Sequence, residues 1–532
     1  MNKTNVSIAM VLCDPLQYER AAFTEGLLAA LDQDHPSTEV IVVDGRGPDA
    51  RLDFLPAGAD TALLRHRPGR YANRAAMFNA AIAEARGAFV LLVFNDQVPV
   101  VLRRSAVQTM VMAATRRARP ATMVYADYER RTAAGEAMPV HLLDWHPGRL
   151  RDTVDFGHAL LCHTETLRTL GGLDESYNAA DRYDLRLRLS EQQAPVHIAN
   201  RYAGALYSVA APSETHNVFA YLLAAKETQL EMERACTAHL KRTGTYLAPG
   251  AHAQMVQYTA AESQQFTDCV ASVVIPVNNR PEFIGRAIES VQAQTVKAVE
   301  VIVVVNGGAD DPTAGEVRRY MTGGDRHDAA APDVRLIVVD VNNLGLCLNT
   351  GLAAARGKYY VQLDSDDRLK PNAVEKLLAV FDADTTVGMV VGSYEVWTLE
   401  TGSGELRRNT EIPVVTHDEW TADNGRNNLL RINGAGAPRS AHIKAIREVG
   451  WFGVNDSPQS RNYGEDYDLV LRMSERYTIG RVWEPIYEVI RHAGGTDHAI
   501  DQATIDRNDN AKDHMRLEAL ERRRALNDAA QA

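Results

Sequence analysis

Three acidic side chains occur within four residues directly after a short apolar run. The run Tyr359–Leu363 is typical of a buried strand, and Asp364-Ser365-Asp366-Asp367 follows it. In an open α/β sheet, ligands bind at the ends of strands. Crowded carboxylates repel one another unless a cation lies between them, and Mg²⁺ and Mn²⁺ favour oxygen ligands and keep substrate phosphates in their shell. The pattern indicates a divalent cation site for a phosphate-bearing ligand, with a solvated acidic turn as the alternative for so short a motif.

Length and composition limit the classes of protein to be considered. The chain has 532 residues, so two or three domains are expected, and its hydrophobic content of 45% is that of an ordinary globular protein. A net charge of -12 argues against broad binding to nucleic acid, and no nucleic-acid partner is expected. The five cysteines are scattered without a Cys-x-x-Cys spacing, so neither a zinc site nor a disulfide framework is indicated. A cytoplasmic location is expected.

The sequence shows neither a membrane-spanning apolar run nor a signal peptide at its start. If the protein acts on lipid-linked molecules, it must dock peripherally at the inner face of the membrane. A helical tail, 501–532, carries Arg522-Arg523-Arg524. Its composition favours a solvated helix face over a contact with a membrane or a partner.

Strands alternate with helices in both halves, which predicts doubly wound α/β domains with mostly parallel sheets. When Gly87 is aligned with Gly357, the segment 88–97 falls on 358–367 without a gap. Further on, the segment 181–191 falls on 465–475 in the same order. We therefore predict two tandem copies of one domain, at 1–215 and 269–500. The segment 216–268, which lacks a long Gly/Ser/Pro tract, is predicted to be a helical connector.

The second copy resembles the family 2 glycosyltransferases, which have the GT-A fold, a Rossmann-like, nucleotide-binding α/β sheet. The matching residues run from Val270 to His492 in the order of the family. They are Ser272–Arg280, Ile302–Asp311, Asn343-Leu344-Gly345 with Asn349-Thr350-Gly351, Ala355-Arg356-Gly357, the acidic cluster, Gly464–Asp468 and Arg491-His492. The first copy resembles the same fold with a degenerate site.

This resemblance implies transfer of a sugar from a nucleoside diphosphate, with uridine the commonest nucleotide, aided by Mn²⁺ or Mg²⁺. Asp466 matches the base of the family, with Glu465 as the alternative, and inversion of the anomeric carbon is implied. The implied metal ligands are Asp364, Asp366 and His492. The implied nucleotide-binding residues are Pro276, Asn278, Arg280, Asn306, Asn343, Gly345 and Asp364. Many relatives end the second strand in an acid that contacts the base, whereas Asn306 follows it here and Asp310 and Asp311 lie beyond.

Some of these residues have plainer interpretations. Asp466 is also a simple capping acid if it lies at a helix N-terminus, where negative charge is favoured. Trp451-Phe452-Gly453 lines either an acceptor pocket or, more in keeping with its aromatic content, the core.

The first copy lacks most of the implied chemical groups. Phe94 replaces Asp364, Gln97 replaces Asp367 and Arg182 replaces Asp466, while Asp96 alone matches Asp366. We predict that this copy does not catalyse, because phenylalanine cannot bind a metal and arginine cannot accept a proton. It would position the acceptor, support the other copy or mediate self-association into a homo-oligomer. A second transferase with its own rules would need other acids, with Asp127 and Asp174 as candidates.

The leading hypothesis is therefore an inverting, metal-dependent glycosyltransferase of polysaccharide biosynthesis that acts on a glycan, a lipid-linked glycan or a protein. The alternative is a non-catalytic protein of two retired transferase domains that binds glycans or a partner. A nucleotidyltransferase is disfavoured, because no Gly-rich, basic phosphate loop follows the first strand.

Overall fold

The computed structural model describes residues 5–132, 135–200, 204–210, 226–400, 404–416, 424–432, 436–454, 462–492 and 502–532. The chain forms two compact units, Met1–Thr243 and Gly244–Ala532. Their boundary falls inside the predicted connector 216–268, of which residues 216–225 lie outside the described part. The helix Lys226–Arg242 belongs to the first unit and the helix Ala260–Gln265 to the second.

The first unit contains a seven-stranded sheet and a four-stranded sheet among its described residues. Its strands are β1 (Val6–Leu12), β2 (Thr38–Asp44), β3 (Leu64–Pro68), β4 (Phe89–Val93), β5 (Val100–Leu102), β6 (Met123–Ala126), β7 (Tyr128–Arg131), β8 (Ala137–Val140), β9 (Ala159–His163), β10 (Val196–Ile198) and β11 (Tyr207–Ala210). Its helices are α1 (Arg20–Leu31), α2 (Arg74–Glu84), α3 (Ala106–Thr115), α4 (Thr164–Thr169), α5 (Asp181–Gln192) and α6 (Lys226–Arg242).

The second unit contains a nine-stranded sheet within the described ranges. Its strands are β12 (Ala271–Val277), β13 (Val299–Val305), β14 (Asp333–Val338), β15 (Tyr359–Gln362), β16 (Arg368–Leu369), β17 (Val387–Leu399), β18 (Leu406–Arg408), β19 (Arg439–His442) and β20 (Thr478–Arg491). Its helices are α7 (Ala260–Gln265), α8 (Pro281–Gln292), α9 (Thr313–Tyr320), α10 (Leu344–Ala354), α11 (Ala373–Ala383), α12 (Gly425–Asn428), α13 (Ile443–Glu448), α14 (Glu465–Arg476) and α15 (Gln502–Gln531).

The main sheets of the two units have the same strand order. The first is β3-β2-β1-β4-β9-β6-β10 and the second contains β14-β13-β12-β15-β19-β17-β20. In both, the first four strands are parallel, the fifth is antiparallel to its neighbours, and the last two are parallel to each other. The predicted α/β class with mostly parallel sheets is thus confirmed. Continuous apolar strands such as β12 and β13 are buried along their whole length, as is usual where helices cover both faces of a sheet.

A buried glutamate ties three strands of the second sheet to the chain that enters β15. Glu300 accepts hydrogen bonds from Ser272 Oγ at 2.7 Å, from the Arg356 backbone N–H at 2.6 Å and from Arg335 Nη1 at 3.0 Å. Ser272 Oγ in turn accepts from the Gly357 N–H at 3.0 Å. The pKa of Glu300 is lowered because these donors outweigh the effect of its burial.

The first unit repeats this arrangement. Glu39 accepts from Ser7 Oγ at 2.6 Å, from the Arg86 N–H at 2.8 Å and from Arg65 Nη1 at 3.2 Å, and Gly87 donates to Ser7 at 2.9 Å. Five residues, one glutamate, one serine, two arginines and one glycine, thus occupy the same five places in both units. We use them as anchors for aligning one unit with the other.

The C-terminal helix α15 packs into the second unit. Arg516 and Arg523 are fully buried. Arg516 donates to the Ile432 carbonyl at 2.7 Å, and Arg522 pairs with Glu475 of α14 at 2.9 Å. The expectation of a solvated arginine face is therefore wrong for Arg523, because composition does not reveal which side of a helix meets the core. Within the described residues, none of the helices combines the length and the apolar character needed to cross a bilayer.

We expect Glu300→Ala to destabilise the second unit by about 3 kcal/mol, because it leaves Arg335 and several donors without their acceptor. Hydrogen exchange followed by mass spectrometry should show faster exchange in β12, β13 and β15. Glu39→Ala should instead speed exchange in β1, β2 and β4. Glu405→Ala, at an exposed position, is the neutral control. Equal exchange in the two buried variants and the wild type would contradict this role.

Candidate functional site

The acidic cluster lies at the carboxyl end of β15, as its position after an apolar run predicts. Asp366 carries two partners: His492 Nε2 lies 3.0 Å from its Oδ2, and Arg280 forms an ion pair with the same oxygen. His492 follows directly on β20, and Arg280 immediately precedes α8. Residues more than 200 positions apart thus meet at one carboxylate.

The other two acids of the cluster differ in exposure, Asp367 being buried and Asp364 half-buried. Asp367 Oδ1 accepts from the Ile490 N–H at 2.8 Å. Burial, and then the charges of Asp364 and Asp366, raise the pKa of Asp367 well above its ordinary value. Burial also raises the pKa of Asp364, against the opposing charge of Arg439. These shifts describe a place where negative charge is in excess and a cation would be stabilised.

The proposed base lies at the start of α14. Gly464 adopts a left-handed conformation with φ of 80°, and Glu465 and Asp466 follow it in the first turn. Asp466 Oδ2 forms an ion pair with Arg439 Nη1 at 2.8 Å. Burial opposes ionisation of Asp466, but Arg439 and then Lys512 outweigh it, so its pKa is lowered. Burial and the charge of Asp466 raise the pKa of Glu465 to about 7.

Helix α15 packs beside the turn that carries Glu465 and Asp466. Lys512 Nζ lies 5.2 Å from the ring centre of Tyr463 and 5.8 Å from that of Tyr467. A Cβ at Gly464 would lie 2.6 Å from the terminal carbon of Met515. The C-terminal helix therefore places a cation and an apolar side chain beside the two carboxylates.

The implied nucleotide-binding residues fall into two groups. Pro276 is buried in β12, while Asn278 is exposed in the loop that leads to Arg280. Asn306 follows β13, and its side-chain oxygen is buried without a hydrogen-bond partner among the described residues. Asp311, the acid beyond this strand, accepts from the Asn279 N–H at 2.8 Å and so fixes the loop after β12.

Asn343 and Gly345 have local roles that need no nucleotide. The Asn343 side chain caps α10 by accepting from the Leu346 N–H at 2.8 Å. A Cβ at Gly345 would lie 2.0 Å from the Gly453 carbonyl oxygen, so only glycine permits this close packing. Phe452, in the same segment, is buried, which favours the core interpretation of the Trp451–Gly453 motif.

Two residues that the sequence analysis did not single out, Gln362 and Arg439, connect the acidic cluster with Asp466. Gln362 Nε2 donates to Asp364 Oδ1 at 3.3 Å, and Arg439 Nε donates to Gln362 Oε1 at 3.3 Å. Arg439 also pairs with Asp466. The only sequence signal was a glutamine inside an apolar strand. A small cavity adjoins this chain of contacts, lined by Tyr360, Gln362, Met389, Arg439, Ser440, Ala441, Phe452, Asp466 and Leu469.

The metal ligands implied by the family resemblance are not assembled into a cage. In the described part of the chain, no group of three or more His, Cys, Asp or Glu side chains is arranged to hold a metal ion. Of the three implied ligands, the structure brings Asp366 and His492 into contact. Asp364 is close enough to affect the pKa of Asp367.

The matching place in the first unit is filled by its own charges. Asp96 is buried and pairs with Arg74 at 3.1 Å and with Arg182. Arg74 Nε also donates to Asp181 at 2.9 Å, and the Arg182 guanidinium lies 4.3 Å from the Phe94 ring centre. Two arginines thus occupy the space where the second unit has a carboxylate cluster.

Asp127 and Asp174, the candidate acids for a second transferase, have other partners. Asp127 accepts from His197 at 2.7 Å and from the Leu142 N–H at 2.8 Å. Asp174 accepts from the Ser176 N–H at 2.9 Å. These contacts give both acids a structural role within the first unit.

The sequence model described as "Glycosyl transferase family 2" matches residues 272–448, within the second unit. The second unit contains a family 2 glycosyltransferase domain. The chondroitin synthase of Escherichia coli is 26% identical over 227 residues, which are 43% of this chain and 30% of that protein. An uncharacterized glycosyltransferase of Rickettsia felis is 22% identical over 522 residues, covering 93% of this chain and 81% of its own.

The chain thus spans less than a third of the chondroitin synthase. Among solved structures, Staphylococcus aureus TarS 1-349 in complex with UDP-GlcNAc is similar with a TM-score of 0.34 and 16% identity, covering 44% of this chain and 61% of that one. Asp466 and His492 lie beyond the limit of the family match but belong to the same compact unit.

Glu465→Gln should stabilise the protein at pH 8 but not at pH 4.5. The unfolded state releases the Glu465 proton near pH ~4.3, whereas the folded state holds it until about pH 7, so stability falls over this range. The glutamine variant lacks this loss. Urea denaturation at both pH values measures the difference.

Asp466→Asn is the control in which the pKa shift has the opposite direction. The pKa of Asp466 is lowered by folding, so its ionised form stabilises the folded state above the unfolded pKa. This variant should be less stable than the wild type at pH 8, and the difference should shrink as the pH falls. Similar pH dependence in the two variants would contradict the assignment of the two carboxylates.

Proposed function

We propose that the protein is an inverting, metal-dependent glycosyltransferase that moves a sugar from a nucleoside diphosphate, a UDP-sugar, to a hydroxyl of a glycan, lipid-linked or protein acceptor. The observation that carries this proposal is the pairing of two sites within the family 2 domain. One is an acidic cluster with a cation partner at a strand end, and the other is an ionised carboxylate at the N-terminus of α14. The first suits a diphosphate and the second suits removal of a proton.

The residues of the cluster fit a divalent cation. His492 Nε2 and Asp366 Oδ2 are 3.0 Å apart, and adjacent ligands of an octahedral ion at about 2.1 Å are separated by about 3 Å. Mg²⁺ is commonly held by one or two carboxylates together with substrate phosphates, so a protein cage of three ligands is not required. Asp366 and His492 would hold Mn²⁺ or Mg²⁺, with Asp364 beside them. When bound, the ion neutralises the departing diphosphate.

The other residues of the chain have roles that follow from their contacts. Arg280, which pairs with Asp366, would contact a phosphate oxygen of the donor. Asn306, which follows β13, would contribute to the nucleotide site at this end of the sheet. Asp466, kept ionised by Arg439, would accept the proton of the attacking hydroxyl. Attack from the side opposite to the leaving group inverts the anomeric carbon.

We also propose that the first unit does not catalyse. Its one remaining cluster acid, Asp96, is buried between Arg74 and Arg182. A cation would have to displace two guanidinium groups, and no carboxylate replaces Asp466. The first unit would then support the second unit or position the acceptor.

Nucleotide sugars should raise the melting temperature of the protein only when Mn²⁺ is present. At a ligand concentration of 100 Kd the gain is about 2.7 kcal/mol, or roughly 5–10 °C for a unit of this size. The measurement is differential scanning fluorimetry with a panel of UDP-, GDP- and dTDP-sugars. Asp366→Asn should abolish the shift, whereas Asp96→Asn, the matched change in the first unit, should preserve it.

Asp466→Asn should keep the metal-dependent shift but reduce sugar transfer or hydrolysis by a factor of about 10²–10⁴, because the base is lost while the nucleotide site is intact. Release of the nucleoside diphosphate measures turnover. A binding shift without turnover in the wild type would favour the non-catalytic alternative. Release of free diphosphate would favour a nucleotidyltransferase.

A further inference from the structure

A series of contacts runs from Asp364 through Gln362 and Arg439 to Asp466 and spans two adjacent strands. β15 and β19 are antiparallel, with Val361 opposite Ser440. Gln362 and Arg439 are therefore cross-strand neighbours on one face of the sheet, and Arg439 is held at both ends by oxygen acceptors. The Tyr360 hydroxyl also donates to Gln362 Oε1 at 3.2 Å. These contacts connect Asp364, beside the proposed cation site, to Asp466, the proposed base.

The first unit has the same strand order, so its residues can be compared with those of the second unit position by position. In the first unit Val6 pairs with Phe89, and Phe89 lies opposite His163; in the second unit Ala271, Tyr359 and His442 occupy the same places. Counting along these strands, Leu92 corresponds to Gln362 and Leu160 to Arg439. Both leucines are buried.

None of the four residues in this series of contacts is present at the corresponding position of the first unit. Asp364, Gln362, Arg439 and Asp466 correspond in the first unit to Phe94, Leu92, Leu160 and Arg182. The glutamate anchors, in contrast, are present in both units. A polar pair that disappears together with the catalytic acids, while the strand order is unchanged, serves the site rather than the sheet.

We propose that Arg439 and Gln362 are positioning residues, which hold the Asp466 carboxylate ionised and in a fixed orientation and connect it to Asp364. This inference rests on the proposed function of Asp466. The charged and titratable groups that face Asp466 are Glu465 on the same helix, Arg439 on β19, Lys512 on α15, Asp364 after β15 and Tyr360 on β15. Arg439 is the one of these that forms a direct ion pair with it in the described structure.

The test replaces the pair with the residues that the first unit uses. Arg439→Leu should lower turnover by about 100-fold, and Gln362→Leu by about tenfold. Circular dichroism should show an intact fold in both. Binding of UDP with Mn²⁺, measured by calorimetry, should stay within about threefold of the wild type, so the loss falls on kcat rather than on KM. The double variant should lose no more than Arg439→Leu alone, because the two act as one network.

Arg439→Lys supplies the conservative variant. It keeps the charge but not the second hydrogen bond, so it should restore part of the turnover and move the acid limb of the pH profile of kcat/KM toward the wild type. In Arg439→Leu that limb should lie at higher pH, because Asp466 then shares its site with Glu465 without a paired cation. Arg335→Leu, at the far end of the sheet, is the control for the loss of a partly buried arginine.

The outcomes separate the two proposals. If the wild type releases no nucleoside diphosphate from any nucleotide sugar, the proposed function fails first. If the wild type turns over and Arg439→Leu keeps both its rate and its pH profile, the positioning role is wrong while the function stands. A loss of rate equal to that of Arg335→Leu, with an unmoved pH profile, would also overturn it, because the effect would then be structural.

Discussion

Carboxylates that are gathered in a partly buried place are stabilised when positive charge accompanies them, and the second unit shows this constraint. Five acids lie at the ends of β15 and α14, in two small groups. Each group has basic side chains from other parts of the chain beside it: Arg280 at the first, where the His492 imidazole also contacts Asp366, and Arg439 and Lys512 at the second. The loop before α8, the strand β19 and the helix α15 all contribute to one balance of charge.

A comparison of the two units distinguishes the residues that stabilise the sheet from those that belong to the candidate site. Both have a glutamate, buried in the second unit and half-buried in the first, that joins a serine, an arginine and the backbone N–H before a glycine. Only the second unit has the polar pair Gln362 and Arg439, whose places in the first unit are taken by Leu92 and Leu160. In the first unit Asp96 is neutralised permanently by Arg74 and Arg182, so its charge balance is complete without a ligand. In the second unit, burial raises the pKa of Asp364 and Asp367, and the charges of neighbouring acids raise both further.

Much of this organisation could be predicted from the sequence. Alternating strands and helices identified the α/β class, and the alignment at Gly87 and Gly357 identified the correspondence that the strand order repeats. The acidic cluster was visible because apolar strands rarely end in three carboxylates. Arg439 was not, because a lone arginine carries no local pattern and its meaning depends on the strand beside it. Arg523 was misjudged for the same reason: helix composition does not identify the face that packs.

The packing of α15 against α14 has a consequence for how the enzyme unit is delimited. The family match ends at residue 448, before the turn that carries Glu465 and Asp466, before His492 and before the helix that supplies Lys512. A fragment cut at the limits of sequence similarity would therefore keep β12 to β15 and lose Glu465, Asp466, His492 and Lys512. In this protein the boundary recognised by homology and the boundary of the folded second unit are different places in the chain.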